Sequence, residues 1–312
     1  ATSPREGSAT TQPAPVGRRT HPASRRRPPE RPGRPSRRRP PPHTFLCRRV
    51  VVLTAASSAT DAPCEVSETG MSSEEDLADE RAIVDVETWL TEARPTAAPL
   101  AVVLLFQVNC PGCFLHALPA LVAVRERFEA AVLSVAAVAT AFEDTEFNTL
   151  DNARALVRDG TLVGETRRVF YQKFGKETLS RGDLDLGAIP VAWDRLTSTT
   201  AMAPADREAL LDKQASKLLR ALKQHAASGE LALSDDQARA ALRDSLRRRA
   251  HFAATFDGNA VLGTPSWLVY DPRTMRLVDK FFGETTPDEL EALVRRSLPP
   301  GSRDHHPGSA AE

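Results

Sequence analysis

Cys110-Pro111-Gly112-Cys113 supplies a nucleophile and a partner for it within four residues of a 312-residue chain. Two cysteines with two residues between them bracket a single helical turn. When the second lies in the first turn of a helix, the first sits at that helix's N-terminal mouth. There, backbone N–H groups without intrahelical partners and the positive end of the macrodipole favour a thiolate over a thiol. Cys110 is therefore the candidate nucleophile and Cys113 the candidate resolving residue. Thiol–disulfide exchange needs both, because one sulfur attacks a disulfide and the second must be near enough to displace the mixed disulfide that forms.

The flanking residues predict the elements that hold this pair. Leu100 to Phe106 is an unbroken apolar run, and the residues after Cys113, through Phe128, place apolar side chains at helical spacing. That order reads as buried strand, short loop, helix. Pro119 predicts a kink in the helix. His116, three residues past Cys113, shares its face; it reads as an ordinary partly exposed histidine, with thiolate tuning or metal binding as the functional alternatives.

This stretch resembles the thioredoxin-like superfamily, in its redoxin or thiol–disulfide oxidoreductase branch with a helical insertion. Gly263-Thr264-Pro265-Ser266-Trp267-Leu268-Val269-Tyr270-Asp271 is similar to the segment in which a cis-proline opens a strand facing the active-site cysteines. The resemblance implies an α/β fold: a mixed central sheet flanked by helices, with an inserted helical subdomain. It implies that Pro265 packs opposite Cys110 and that Thr264 offers its backbone to an extended substrate chain, which makes Thr264 and Pro265 the substrate-binding residues. It further implies protein substrates that contain disulfides or dithiols, a reducing or oxidising partner protein, and no cofactor. The chain departs from thioredoxins where Leu104 replaces a buried acid six residues before the first cysteine and Asn109 replaces a tryptophan. Pro119 also falls six residues after Cys113, where five is usual. Proline after the first cysteine is shared with glutaredoxins and oxidising periplasmic relatives, so the direction of exchange stays open.

Net charge is zero but unevenly placed: residues 1 to 50 hold thirteen Arg against two Glu, a net +11, so the remainder carries −11. Residues 1 to 80 are expected to be a disordered extension, basic and then acidic, because so few apolar residues cannot offset chain entropy. An arm for nucleic acid or anionic membrane, an organellar transit peptide and a solvated or non-native extension all fit the Arg-rich part. Met71 is an alternative start. Arg48-Arg49 before a seven-residue apolar run faintly suggests an export signal. The expected location is cytoplasmic, with an organelle as the alternative, and no stretch has the length of a membrane span.

From 81 to 298 the chain reads as one thioredoxin-like domain. Residues 83 to 90 suggest a short edge strand, Ala131 to Ala139 a second buried strand, and Leu150 to Arg158 a helix stopped by Gly160. The loop between the last two carries Glu143 and Asp144, where the C-terminal end of a strand meets the active-site face of an open α/β sheet. Either could assist proton transfer to the cysteines; solvated carboxylates are the alternative. Residues 161 to 182 suggest an irregular or short helical insert. Ala188 to Asp194 resembles a redoxin strand with a Pro-Val pair, and Pro190 marks an edge position or a strand start. Residues 203 to 251 form the helical insertion, two amphipathic helices with leucines at helical spacing. Arg247, Arg248 and Arg249 close the second, where cations suit the dipole. Thr286 with Glu289 marks the start of a last helix, and 299 to 312 is a disordered tail.

Three rivals to an exchange enzyme fit less well. A redoxin-type peroxidase needs Thr or Ser three residues before its cysteine, and Gln107 stands there. A metal site lacks paired thiols, since Cys47 and Cys64 have no motif spacing, and Phe114 stands where haem attachment needs histidine. The alternative that remains is a non-catalytic thioredoxin-like binding module with a regulatory disulfide.

Overall fold

The computed structural model describes residues 80–225 and 234–300. The Arg-rich arm, the acidic linker, Cys47, Cys64, Met71, the Arg48-Arg49 stretch and the tail with His305 and His306 lie outside them. Eight strands occur among the described residues: β1 (Val86–Trp89), β2 (Leu100–Phe106), β3 (Leu133–Ala139), β4 (Val191–Asp194), β5 (Leu196–Ser198), β6 (His251–Ala253), β7 (Ser266–Tyr270) and β8 (Leu277–Phe282). Six of them form one sheet in the order β1-β4-β3-β2-β7-β8, and β5 pairs with β6 in a separate ladder. The helices are α1 (Leu118–Arg127), α2 (Leu150–Asp159), α3 (Gly164–Phe174), α4 (Pro204–His225), α5 (Asp235–Arg247), α6 (Ala254–Gly258) and α7 (Pro287–Ser297). None of the described helices is long and apolar enough to cross a membrane.

β2 lies at the centre, parallel to β3 and antiparallel to β7. Its seven residues are all buried because both faces of the sheet are covered, which is why its sequence is a continuous apolar run rather than an alternation. Leu100, Val102, Leu104 and Phe106 join a core with Leu118 and Leu121 of α1 and Leu290 and Val294 of α7. Ala101, Val103 and Leu105 point the other way, into a second core with Phe142, Phe256 and Val261. β1 is an edge strand, as its sequence suggests. Pro190 immediately precedes β4, which has β1 on one side and β3 on the other. The start reading therefore holds and the edge reading does not.

The helix after the cysteines differs from expectation at Pro119. Cys113–Ala117 forms a π turn closed by the Leu118 N–H on the Cys113 carbonyl. Pro119 has no N–H to offer Leu115 and its ring crowds the preceding turn, so the backbone widens just ahead of it. Of the two readings of residues 161–182 the helical one holds over Gly164–Phe174, a regular helix ended by Gly175 at φ 69°. α2 is ended the same way by Gly160 at φ 68°. Thr286 and Glu289 form the expected reciprocal cap on α7.

α4 and α5 pack on each other through Leu211, Leu218 and Leu246. Arg243 pairs with Glu208 and Asp212, and Arg247 with Glu208, across the same seam. Arg249 pairs with the buried Asp257 and lies over the rings of Phe142 and Phe256. Arg247 and Arg249 are thus both held in ion pairs within the chain, Arg247 at the surface and Arg249 beneath it.

Where this helical pair rejoins the sheet, Asp194 is fully buried at the end of β4. It accepts the Thr140 hydroxyl at 3.0 Å and the backbone N–H groups of Thr255 and Phe256 at 2.8 and 3.1 Å, which pins the start of α6. Burial pushes its carboxyl up to about 6 against the pull of those donors. A raised carboxyl pKa means that the folded state holds its proton more tightly than the unfolded chain. The associated stability is therefore complete below about pH 4 and is lost as pH rises to about 6, on the order of 3 kcal/mol. Relative to Asp194→Asn, the wild-type protein is expected to lose stability over that window, measured as the difference in urea midpoint between the two proteins at several pH values.

Candidate active site

β2 delivers the chain to the cysteines and α1 carries it away. After Phe106 the backbone turns through Gln107, whose carbonyl accepts the Cys110 N–H at 3.1 Å. The Cys113 N–H then lies 3.1 Å from the Cys110 carbonyl and 3.3 Å from the Cys110 sulfur. At the helix mouth that amide is shared between the carbonyl and the sulfur of Cys110. Both cysteines are free thiols, with sulfurs 2.6 Å apart. Cys110 is partly exposed, whereas Cys113 is completely buried.

These surroundings drive the two acidities apart. The Cys113 thiol donating to its sulfur lowers the Cys110 pKa, helped by the Cys113 amide; burial and the Glu143 charge oppose. Burial pushes Cys113 well up, and the neighbouring Cys110 pushes the same way. Cys110 therefore gives up its proton before Cys113 does.

β7 runs antiparallel to β2 with Ser266 opposite Leu105. The residue before Ser266 must then fall beside the loop that follows β2. The Thr264–Pro265 peptide is cis, and the Thr264 carbonyl accepts from the Cys110 sulfur at 3.5 Å. The Pro265 carbonyl is taken by the Gly283 N–H at 2.9 Å.

The four residues 110, 113, 264 and 265 therefore gather at one end of the sheet. Glu143 is close enough for its charge to act on Cys110. Asp144 reaches the site through an intermediary: its carboxylate accepts from Asn109 Nδ2 at 3.1 Å, and its backbone is left-handed at φ 46°. His116 is half-exposed, 3.5 Å from a Glu284 carboxylate oxygen.

Several residues here escape sequence reasoning. Glu284 lies over Gly112, so that a Cβ added there would meet its carboxylate at 2.9 Å. Asn109 accepts the Glu165 N–H at 2.6 Å and donates its own N–H to Asn148, tying the cysteine loop to the start of α3. Gln107 Nε2 and Asn148 Nδ2 both donate to the Glu143 carbonyl. Apart from Asn148 and Glu143, which are 5 positions apart, these partners lie 36 to 172 residues from one another in sequence, and no local pattern marks them. Beside them a cavity of about 750 Å³ lies between the Phe142–Glu146 loop and α4 and α5, floored by Leu218, Leu222 and Leu242. Among the described residues no group of three or more His, Cys, Asp or Glu side chains could hold a metal ion.

Strand order, a cysteine pair at a helix mouth and a cis-proline opening the neighbouring strand together make up a thioredoxin-like α/β fold. No protein-family model and no curated protein matches the sequence. Among solved structures the chain is similar to a thiol-disulfide isomerase from Corynebacterium glutamicum, at 18% identity and a TM-score of 0.39, over 72% of this chain and 97% of that one. It is also similar to a thioredoxin-like superfamily protein at 17% identity and a TM-score of 0.37, over 70% of this chain and 96% of that one.

Proposed function

We propose that this chain is a thiol–disulfide oxidoreductase that exchanges disulfides with protein substrates through Cys110 and Cys113, within a domain spanning 81–298. The observation that carries the reading is the asymmetry of the pair: a partly exposed cysteine of lowered pKa, its sulfur 2.6 Å from that of a buried cysteine whose pKa is pushed up. The Cys110 thiolate attacks one sulfur of a substrate disulfide; an S–S bond forms to the enzyme, the substrate's own breaks, and one substrate thiolate leaves. Cys113 then gives up its proton, to water or to the Glu143 carboxylate, and attacks the Cys110 sulfur. The second substrate thiolate leaves and an intramolecular disulfide remains. Two electrons have passed to the substrate, and a dithiol partner must restore the pair. Every step is reversible, so the same groups oxidise a substrate when the pair starts as a disulfide. Thr264 and Pro265 line the approach, where an extended segment can add alongside as a strand.

The test uses Cys113→Ser, which keeps the attacking sulfur and removes the resolving one. Incubated with a small disulfide-bonded protein, it is expected to accumulate an adduct at Cys110 that a dithiol reductant releases and that Cys110→Ser never forms. A variant that captures nothing would leave the binding-module reading in its place. Hydroperoxide consumption that survives Cys113→Ser would favour a peroxidase instead.

A further inference from the structure

Gln107 is 3% exposed and bridges two segments of the site. Its Nε2 donates to the Glu143 carbonyl at 3.2 Å. A carbonyl can only accept, so this contact fixes which way the amide faces and turns Oε1 toward Thr264. The Thr264 hydroxyl oxygen lies 3.1 Å from that Oε1. An amide oxygen also only accepts, so the hydroxyl must be the donor.

That hydroxyl carries one proton. It belongs to the residue whose carbonyl sits 3.5 Å from the Cys110 sulfur, so its side chain stands beside the cysteine pair. A proton pointed at Gln107 is not pointed at sulfur. We propose that Gln107 is a positioning residue: by accepting the Thr264 hydroxyl proton it withholds a hydrogen bond from the Cys110 thiolate and so limits how far that thiolate is stabilised. Under the exchange reading, on which this consequence rests, a less stabilised thiolate is the stronger nucleophile, and the pair is more reducing than the bare cysteine geometry dictates. Taking the acceptor away frees the hydroxyl to turn to sulfur.

The experiment is a double-mutant cycle read by thiolate absorbance on the reduced protein, with Gln107→Met, Thr264→Val and the two combined. Gln107→Met is expected to lower the Cys110 pKa by about one unit, a tenfold change in acid constant. In the Thr264→Val background the same substitution should change nothing, because no hydroxyl remains to redirect. An equal shift in both backgrounds, or none with Thr264 present, overturns the proposal. Should Gln107→Met fail to fold, Thr264→Val alone decides. A hydroxyl already held by Gln107 gives the thiolate little, so its loss should change the acid constant by no more than about twofold, whereas a rise near tenfold overturns the proposal. Titration measures no exchange, so its outcome stands apart from whether Cys110 reacts with protein disulfides.

Discussion

Cys110→Ser is expected to abolish exchange with a protein disulfide, by on the order of a thousandfold or more, as when a covalent nucleophile is removed alone. Cys113→Ser should instead complete a single half-reaction and stop. The difference follows from geometry. Cys110 is partly exposed, and its thiolate is stabilised by the Cys113 thiol and amide. The sulfur at 113 is fully buried, and its pKa is pushed up. No incoming disulfide reaches it until a mixed disulfide at Cys110 brings one within contact. Alkylation checks this without any substrate: at pH 7 a haloacetamide should modify Cys110 in the reduced protein and leave Cys113 untouched. A Cys110 titrating near the free-cysteine value of about 8.5 would remove the case for an activated nucleophile.

Trp267→Ala is expected to cost about 3–5 kcal/mol of stability, the range for deleting a large buried aromatic. Its ring is fully buried and stacks on Phe281 at 5.8 Å between centroids. Its Nε1 donates to the Gly283 carbonyl at 3.1 Å, and the Gly283 N–H in turn holds the Pro265 carbonyl. The damage should therefore reach the active site as well as the core. Trp267→Phe keeps most of the buried surface and loses chiefly the hydrogen bond, for about 1 kcal/mol. Denaturant midpoints of the two variants separate packing from hydrogen bonding. Equal losses would mean that the ring's packing contributes little.

Local signals account for much of what could be read in advance. The apolar run 100–106 marked the central strand because a strand covered on both faces has nowhere to place polar residues. Gly160, and Thr286 with Glu289, marked helix ends because caps are satisfied within a few residues. β5 and β6 were not anticipated, since three residues are too few to show a period. Pro119 predicts a kink where the structure has a π turn, because a proline announces that a helical hydrogen bond is missing but not how the backbone compensates.

What the sequence determined by itself is the chemistry on offer: two cysteines one turn apart, a strand to bring them, a helix to receive them and a Thr-Pro pair far downstream. Only tertiary structure decided which groups tune that chemistry. Glu284 came to lie over Gly112, and Gln107 met Thr264 across 157 positions of chain. Asp194 came to be buried where β4 meets the start of α6. Such meetings depend on strand register and on the direction in which β7 returns beside β2. Those follow from the packing of whole faces against one another, which no window of neighbouring residues contains.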